Sequence, residues 1–245
     1  MIKISVVVPV LNSHEVLRRQ FLHWGKFIES DTEIIIVDDG SNPPLEYKGK
    51  LNVKIVCTND TRPWTWALAR NKGAVWARGE YLLMHDVDHF FMPDTIDMIR
   101  SFEGDKIQFK REFAILDENG EFKQDAKTLI EYGLPKNRIK DNGFKMTPLP
   151  NNFVMRKEVF FNIGEYHEDL VDRPYPQGED RQFKKAWCDY MRETGTEVHT
   201  ERPVMYMFPN GYVLGDVDAD PKGLFHKLSR KTKRNYRFNN TKEVA

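Results

Sequence analysis

The segment GEYLLMHDVDHFF, Gly79–Phe91, sets two carboxylates and two imidazoles, His85, Asp86, Asp88 and His89, at the end of an apolar run. Acids placed against a buried strand are costly unless something binds them. Residues two apart in an extended chain face the same way. The spacing therefore predicts that Asp86 and Asp88 aim at one point, a hard-oxygen site suited to Mg2+ or Mn2+. Two carboxylates leave coordination positions open, so a cation held there can also grip phosphate oxygens. By the same alternation His85 and His89 point away, and neither is assigned to the metal.

Other polar groups stand at comparable places. The apolar run EIIIVDDGS stops at Asp38–Asp39, and ISVVVPVLN carries Pro9 and Asn12 at its end. In PQGEDRQFKKAW, Glu179 and Asp180 open an amphipathic pattern. Acids in a first helical turn complement the macrodipole.

The elements that must carry these groups follow from periodicity. Lys3–Val10, Glu33–Val37, Val53–Cys57 and Tyr81–Met84 read as buried strands. Between them, a helix capped by Asn12 or Ser13 turns Val16, Leu17, Phe21, Leu22 and Trp24 inward. A second, Thr65–Trp76, buries Trp66, Leu68, Ala69, Gly73, Ala74 and Trp76. This alternation predicts an α/β fold with an open, mainly parallel sheet and helices on both faces. Ligands of such sheets bind beyond the carboxyl ends of the strands, where Asn12, Asp38–Asp39 and Asp86–Asp88 fall. Farther on, NNFVMRKEVFFNIGEYHEDL reads as strand, short helix and turn. A helix over Arg181–Thr194 buries Phe183, Ala186, Trp187, Tyr190 and Met191, and Val204–Phe208 reads as a strand.

Three blocks, ISVVVPVLN, EIIIVDDGS and ALARNKGAVWARGEYLLMHDVDH, occur in order within the first 90 residues. Together they resemble a GT-A fold glycosyltransferase of the family 2 type, with His85 standing where an apolar residue is usual. The resemblance implies a metal-dependent, inverting transfer of a sugar from a nucleotide-diphosphate donor, a UDP-sugar foremost, to an acceptor hydroxyl. It implies that Asp39 binds the base with Asp38 nearby, that Pro9 and Asn12 shape the first loop, and that Arg70 lies along the base or phosphate. Asp88 becomes the principal metal ligand, and Asp86 a ligand to ribose or metal. PQGEDRQFKKAW matches the family's acceptor-side acid, making Asp180 the general base and Glu179 the second choice. Relatives often add a histidine ligand from the C-terminal part; His199 and His226 are the candidates, and His226 is preferred beside the basic Lys227, Arg230 and Lys231. Of the aromatic residues, Trp64 and Trp66 are the better candidates for a binding loop.

The chain's 245 residues divide by this reading into a nucleotide-sugar-binding half (1–100), an acceptor and catalytic half (101–224) and a basic tail (225–245). Hydrophobic residues make up 40%, enough for a sizeable core. Basic and acidic residues balance at 37 each, which removes any bulk attraction to polyanions. The acceptor classes that the resemblance leaves open are glycan, protein, small molecule and modified DNA base; the last rests on the basic tail, which reads first as solvated or as wrapping the nucleotide site. No run reaches the ~20 apolar residues of a membrane helix, and two cysteines make no disulfide framework, so a cytoplasmic setting is expected. A nucleotidyltransferase would bring a glycine-rich phosphate loop, which VVPVLNSHE lacks. A non-catalytic nucleotide-sugar or glycan-binding protein would bind donor without turnover.

Overall fold

The computed structural model describes residues 1–62, 65–148, 150–169, 178–197, 199 and 201–209. Strands and helices alternate at the start: β1 (Ile4–Val10), α1 (His14–Trp24), β2 (Thr32–Asp38), β3 (Val53–Cys57), α2 (Trp66–Trp76) and β4 (Tyr81–Met84). A turn leads into β5 (His89–Phe91) and α3 (Pro93–Ser101). Short pieces follow: β6 (Lys106–Gln108), β7 (Lys110–Phe113), β8 (Ile115–Leu116), β9 (Phe122–Lys123), α4 (Ala126–Glu131), α5 (Lys136–Asn142) and β10 (Lys145–Met146). Then come β11 (Phe153–Arg156), α6 (Lys157–Asn162), α7 (Glu179–Thr194) and β12 (Val204–Met207).

The main sheet has the order β3-β2-β1-β4-β11-β6. Its first four strands are parallel, and β11 runs antiparallel to both β4 and β6. Both faces are covered, which is why β1, β2 and β4 are almost continuously apolar. Side chains alternate between two cores. Val6, Val8, Ile34, Ile36 and Leu83 pack with Leu17 and Trp24 of α1 and Ile96 and Ile99 of α3. Val7, Ile35, Val37, Leu82 and Met84 pack with α2, α6 and α7. Gly73 lets α2 close on the sheet, because a Cβ there would stand 2.3 Å from Val7 Cγ1 and 3.0 Å from Val37 Cγ2.

A second sheet, β10-β7-β12-β5, takes over where β4 ends. Strand β12 lies between β7, to which it is parallel, and β5, to which it is antiparallel. Its own core gathers Phe90, Phe113, Leu116, Leu129 and Phe208.

Helix faces differ from the periodic reading in three places. Leu22, Trp66 and Trp76 are 43%, 40% and 46% exposed. In α1 the buried stripe takes in polar Gln20 and His23 instead, because each bonds backbone carbonyls beyond β4. In α2 close approach to the sheet selects small residues, Ala67, Ala69, Gly73 and Ala74, and leaves both tryptophans at the helix ends facing outward. Trp76 there stacks under Lys54, with Nζ 3.4 Å from the ring centre. Ser13 occupies the cap position of α1, but its hydroxyl donates to the Leu11 carbonyl and makes no capping bond. Helix α7 begins at Glu179, so both candidate acids lie in its first turn.

Candidate active site

Because β1, β2 and β4 are parallel, their carboxyl ends share one edge of the sheet. Asp38 folds its own loop: one oxygen accepts from the Gly40 and Ser41 amides at 3.2 and 2.8 Å, the other from the Leu45 amide at 3.1 Å. Asp39 is 1% exposed. It accepts from Thr58 Oγ1 at 2.7 Å, and Thr65 Oγ1, just before α2, lies 2.5 and 2.6 Å from its two oxygens. Asn12 adopts a left-handed φ of 52°. Its Oδ1 accepts from the Asn42 amide at 2.7 Å and its own amide donates to Ser41 Oγ, tying the first loop to the second. Pro9 stays within β1, opposite Val37.

The acids after β4 are presented by a turn, where the spacing predicts an extended segment. The His89 amide donates to the Asp86 carbonyl at 2.9 Å. This closes a turn over Asp86–His89. The outcome corrects the alternation argument for His89: its ring nitrogen and carboxylate oxygens of Asp86 and Asp88 all lie within 4.8 Å of one another. His89 Nδ1 stands 2.6 Å from Asp88 Oδ1. Burial pushes Asp88 up, but His89 and Arg111 outweigh it and hold the carboxyl below its ordinary value. Two carboxylates supplying hard oxygens, one of them kept ionised beside an imidazole and a guanidinium, fit a divalent cation of the Mn2+ or Mg2+ kind. His85 does point away. It is fully buried between Trp24 and Phe91, both ring centroids 5.7 Å distant, and burial lowers its pKa to about 4.

Arg70 is no surface residue: it is 1% exposed and ion-pairs with Asp86. Its guanidinium lies 5.4 Å from the ring centre of Tyr166. Nε and Nη1 are buried without hydrogen-bond partners among the described residues. Asp86, Asp180 and Glu179 all act on its charge. Arg70 is thus ion-paired with the turn after β4 and feels the charge of the two acids that open α7.

Burial raises the pKa of Asp180, Arg70 and the Asn151 side chain oppose the rise, and Asp86 adds to it. Glu179 is raised by burial and by Asp180. Asp180 Oδ1 is buried and has no hydrogen-bond partner among the described residues. The helix bearing it is seated by Phe183, whose ring stacks on Tyr166 and Phe153 at 4.3 and 5.2 Å.

The edge thus assembles Asn12, Asp38, Asp39, Arg70, Asp86, Asp88, Glu179 and Asp180. His199 is elsewhere, edge-on to Phe102 beside a hollow of about 460 Å³ that Asp105 and Lys106 also line. That hollow flanks the start of β6, near the opposite edge of the sheet. His226, Trp64 and the basic tail lie outside the described residues. Strand alternation turns His89 away from the acids, although the histidine abuts the second aspartate in DVDH, and no signal along the chain points to Arg111 or Asn151.

No curated protein matches the chain. Among solved structures, S. aureus TarS 1-349 superposes with a TM-score of 0.51 at 19% identity, over 95% of this chain and 69% of that one. The mannosyltransferase PcManGT from Pyrobaculum calidifontis, solved in complex with GDP-Man and Mn2+, gives 0.51 at 14% identity, over 84% and 56%. The TarS 1-349 complex with UDP gives 0.46 at 19%, over 84% of this chain and 58% of that one. This chain therefore spans little more than half the length of some of its structural neighbours, and the likeness is one of GT-A fold. The model of the family described as glycosyl transferase family 2 matches residues 5–164, and the chain belongs to that family.

Proposed function

We propose that the chain is a metal-dependent, inverting glycosyltransferase that moves a sugar from a nucleotide-diphosphate donor to an acceptor hydroxyl. One observation carries the reading: a carboxylate pair suited to a divalent cation is ion-paired to a buried arginine whose charge also acts on a half-buried acid that has an unpartnered oxygen and a raised pKa. Asp86 and Asp88 hold the cation, which when bound supplies a Lewis-acidic clamp for the diphosphate leaving group. Asp39 and the Asn12 loop form the floor on which the nucleotide rests. Asp180 takes the acceptor proton as the acceptor oxygen bonds to the anomeric carbon and the carbon–phosphate oxygen bond breaks. Arg70 keeps Asp86 oriented and steadies the negative charge on Asp180. A single displacement with base and leaving group on opposite faces inverts the anomeric centre.

A thermal-shift panel of UDP-, GDP-, CMP- and dTDP-sugars, with and without Mn2+, tests the donor reading on wild type and Asp88→Ala. A UDP-sugar shift that needs both Mn2+ and Asp88 is expected. No metal-dependent shift with any donor would overturn it. Turnover on glycan, protein, small-molecule and modified-DNA acceptors, with the product anomer read by NMR, tests the rest. Retention of configuration would remove Asp180 from the role of sole base.

A further inference from the structure

The cluster after β4 contains a histidine that the mechanism above does not use. His89 is 1% exposed, and both of its ring nitrogens are engaged. Nε2 lies 3.2 Å from Arg111 Nη1 and Nδ1 lies 2.6 Å from Asp88 Oδ1. A guanidinium can only donate hydrogen bonds. Nε2 is therefore the acceptor, and the proton of a neutral ring sits on Nδ1 and is donated to Asp88.

Arg111 is itself held. Its Nε and Nη2 both donate to the Thr147 carbonyl, at 2.8 and 2.5 Å, and Nη1 also approaches Met207 Sδ at 3.6 Å. Arg111 reaches His89 diagonally across β12, since Met205 pairs with Arg111 and Met207 with His89. The backbone of the turn is pinned as well: Gln20 Nε2 donates to the Val87 and His89 carbonyls at 2.7 and 2.6 Å, and the Phe208 amide donates to the Asp88 carbonyl at 2.9 Å.

We infer that His89, held by Arg111, is a positioning residue that orients the Asp88 carboxylate for the divalent cation and is not itself a ligand, although it lies within the metal-like cluster. The inference rests on the metal reading of Asp88. Partners of this kind, behind the ligating atoms, fix a carboxylate's rotamer and typically change metal affinity by about 10–100-fold when lost.

The test uses Mn2+ alone, with affinity read from the electron paramagnetic resonance of the free ion, on wild type, Asp88→Ala, His89→Leu and His89→Asn. Asparagine places an N–H donor near the position of Nδ1. His89→Leu is expected to weaken Mn2+ binding about tenfold or more, with His89→Asn restoring most of the loss. Spin-echo modulation of bound Mn2+ is expected to show the same nitrogen coupling pattern in wild type and His89→Asn. In the full-length protein without metal, 15N-histidine NMR is expected to show His89 protonated at Nδ1 and unprotonated at Nε2.

If wild type binds no Mn2+, or Asp88→Ala binds it equally well, the metal reading falls and takes this inference with it. Binding that Asp88→Ala abolishes and His89→Leu leaves intact overturns the inference alone. So does a nitrogen coupling lost in His89→Asn, or a proton on Nε2 of the wild type. Should His89→Leu fail to fold, the asparagine variant and the NMR measurement still decide.

Discussion

Asp180 is raised above the ordinary aspartate value of 3.8 by burial and by Asp86, against the pull of Arg70 and Asn151. A carboxyl whose pKa is higher in the folded state prefers to be protonated there. Its ionisation therefore costs stability that builds up as the pH rises from 3.8 through the folded value, stays constant above it, and is absent below 3.8. Asp180→Asn is accordingly expected to lower kcat by about 10²–10⁴-fold and yet to melt higher than wild type at pH 7. The melting advantage should close as the pH approaches 4. Equal melting curves across that range would contradict the burial argument. Arg70→Met has the opposite consequence, since it leaves Asp86, Asp180 and Glu179 facing one another without their shared cation. Removing one partner of a buried ion pair costs about 3–5 kcal/mol. Because Asp86 retains 27% exposure, the low end, about 3 kcal/mol, is expected from urea unfolding.

At the scale of elements, α7 places Asp180 and is itself placed by aromatic stacking. Phe183 is 1% exposed and sits between Tyr166 and Phe153, with Phe160 at 5.5 Å. Truncating such a ring costs about 3–5 kcal/mol. Phe183→Ala should also loosen the first turn of α7 without touching the loops that hold Asp38 and Asp39. The expected kinetic signature is a fall in kcat with donor affinity within about threefold, since binding shared by ground and transition states is spared. A matching loss of donor affinity would show that α7 contributes to the nucleotide floor.

Considered as a whole, the molecule ties its two halves through one sheet. Strands β11 and β6, both beyond residue 100, extend the sheet from β4, and Phe153, Phe160, Phe183 and Trp187 complete the core under α2. A fragment of residues 1–104 would expose the hydrogen-bonding edge of β4, which invites aggregation. Circular dichroism and NMR are expected to find that fragment unfolded or aggregated; a cooperative thermal transition would show that residues 1–104 fold alone. The described residues contain no helix long and apolar enough to cross a membrane.

Much of this was legible along the chain. Runs such as ISVVVPV and EIIIVDD specify buried parallel strands, because only a sheet covered on both faces has use for such continuous apolar segments. The acids that end them then fall at one edge by topology alone. Asp180 is a candidate because PQGEDRQFKKAW resembles the family's acceptor-side element, and the structure starts α7 at Glu179, two residues before the Arg181 start that periodicity predicts. What the sequence could not determine depended on contacts between distant segments. His89 was excluded by strand alternation, a local rule that fails where the chain turns, and its orientation is decided by Arg111 on β7, with β12 between them. Arg70 looks like any helix arginine until α7 and the turn after β4 converge on it. Periodicity reports which face an element buries. The partner of a buried charge is chosen by whatever the fold brings across the sheet, and that is decided only in three dimensions.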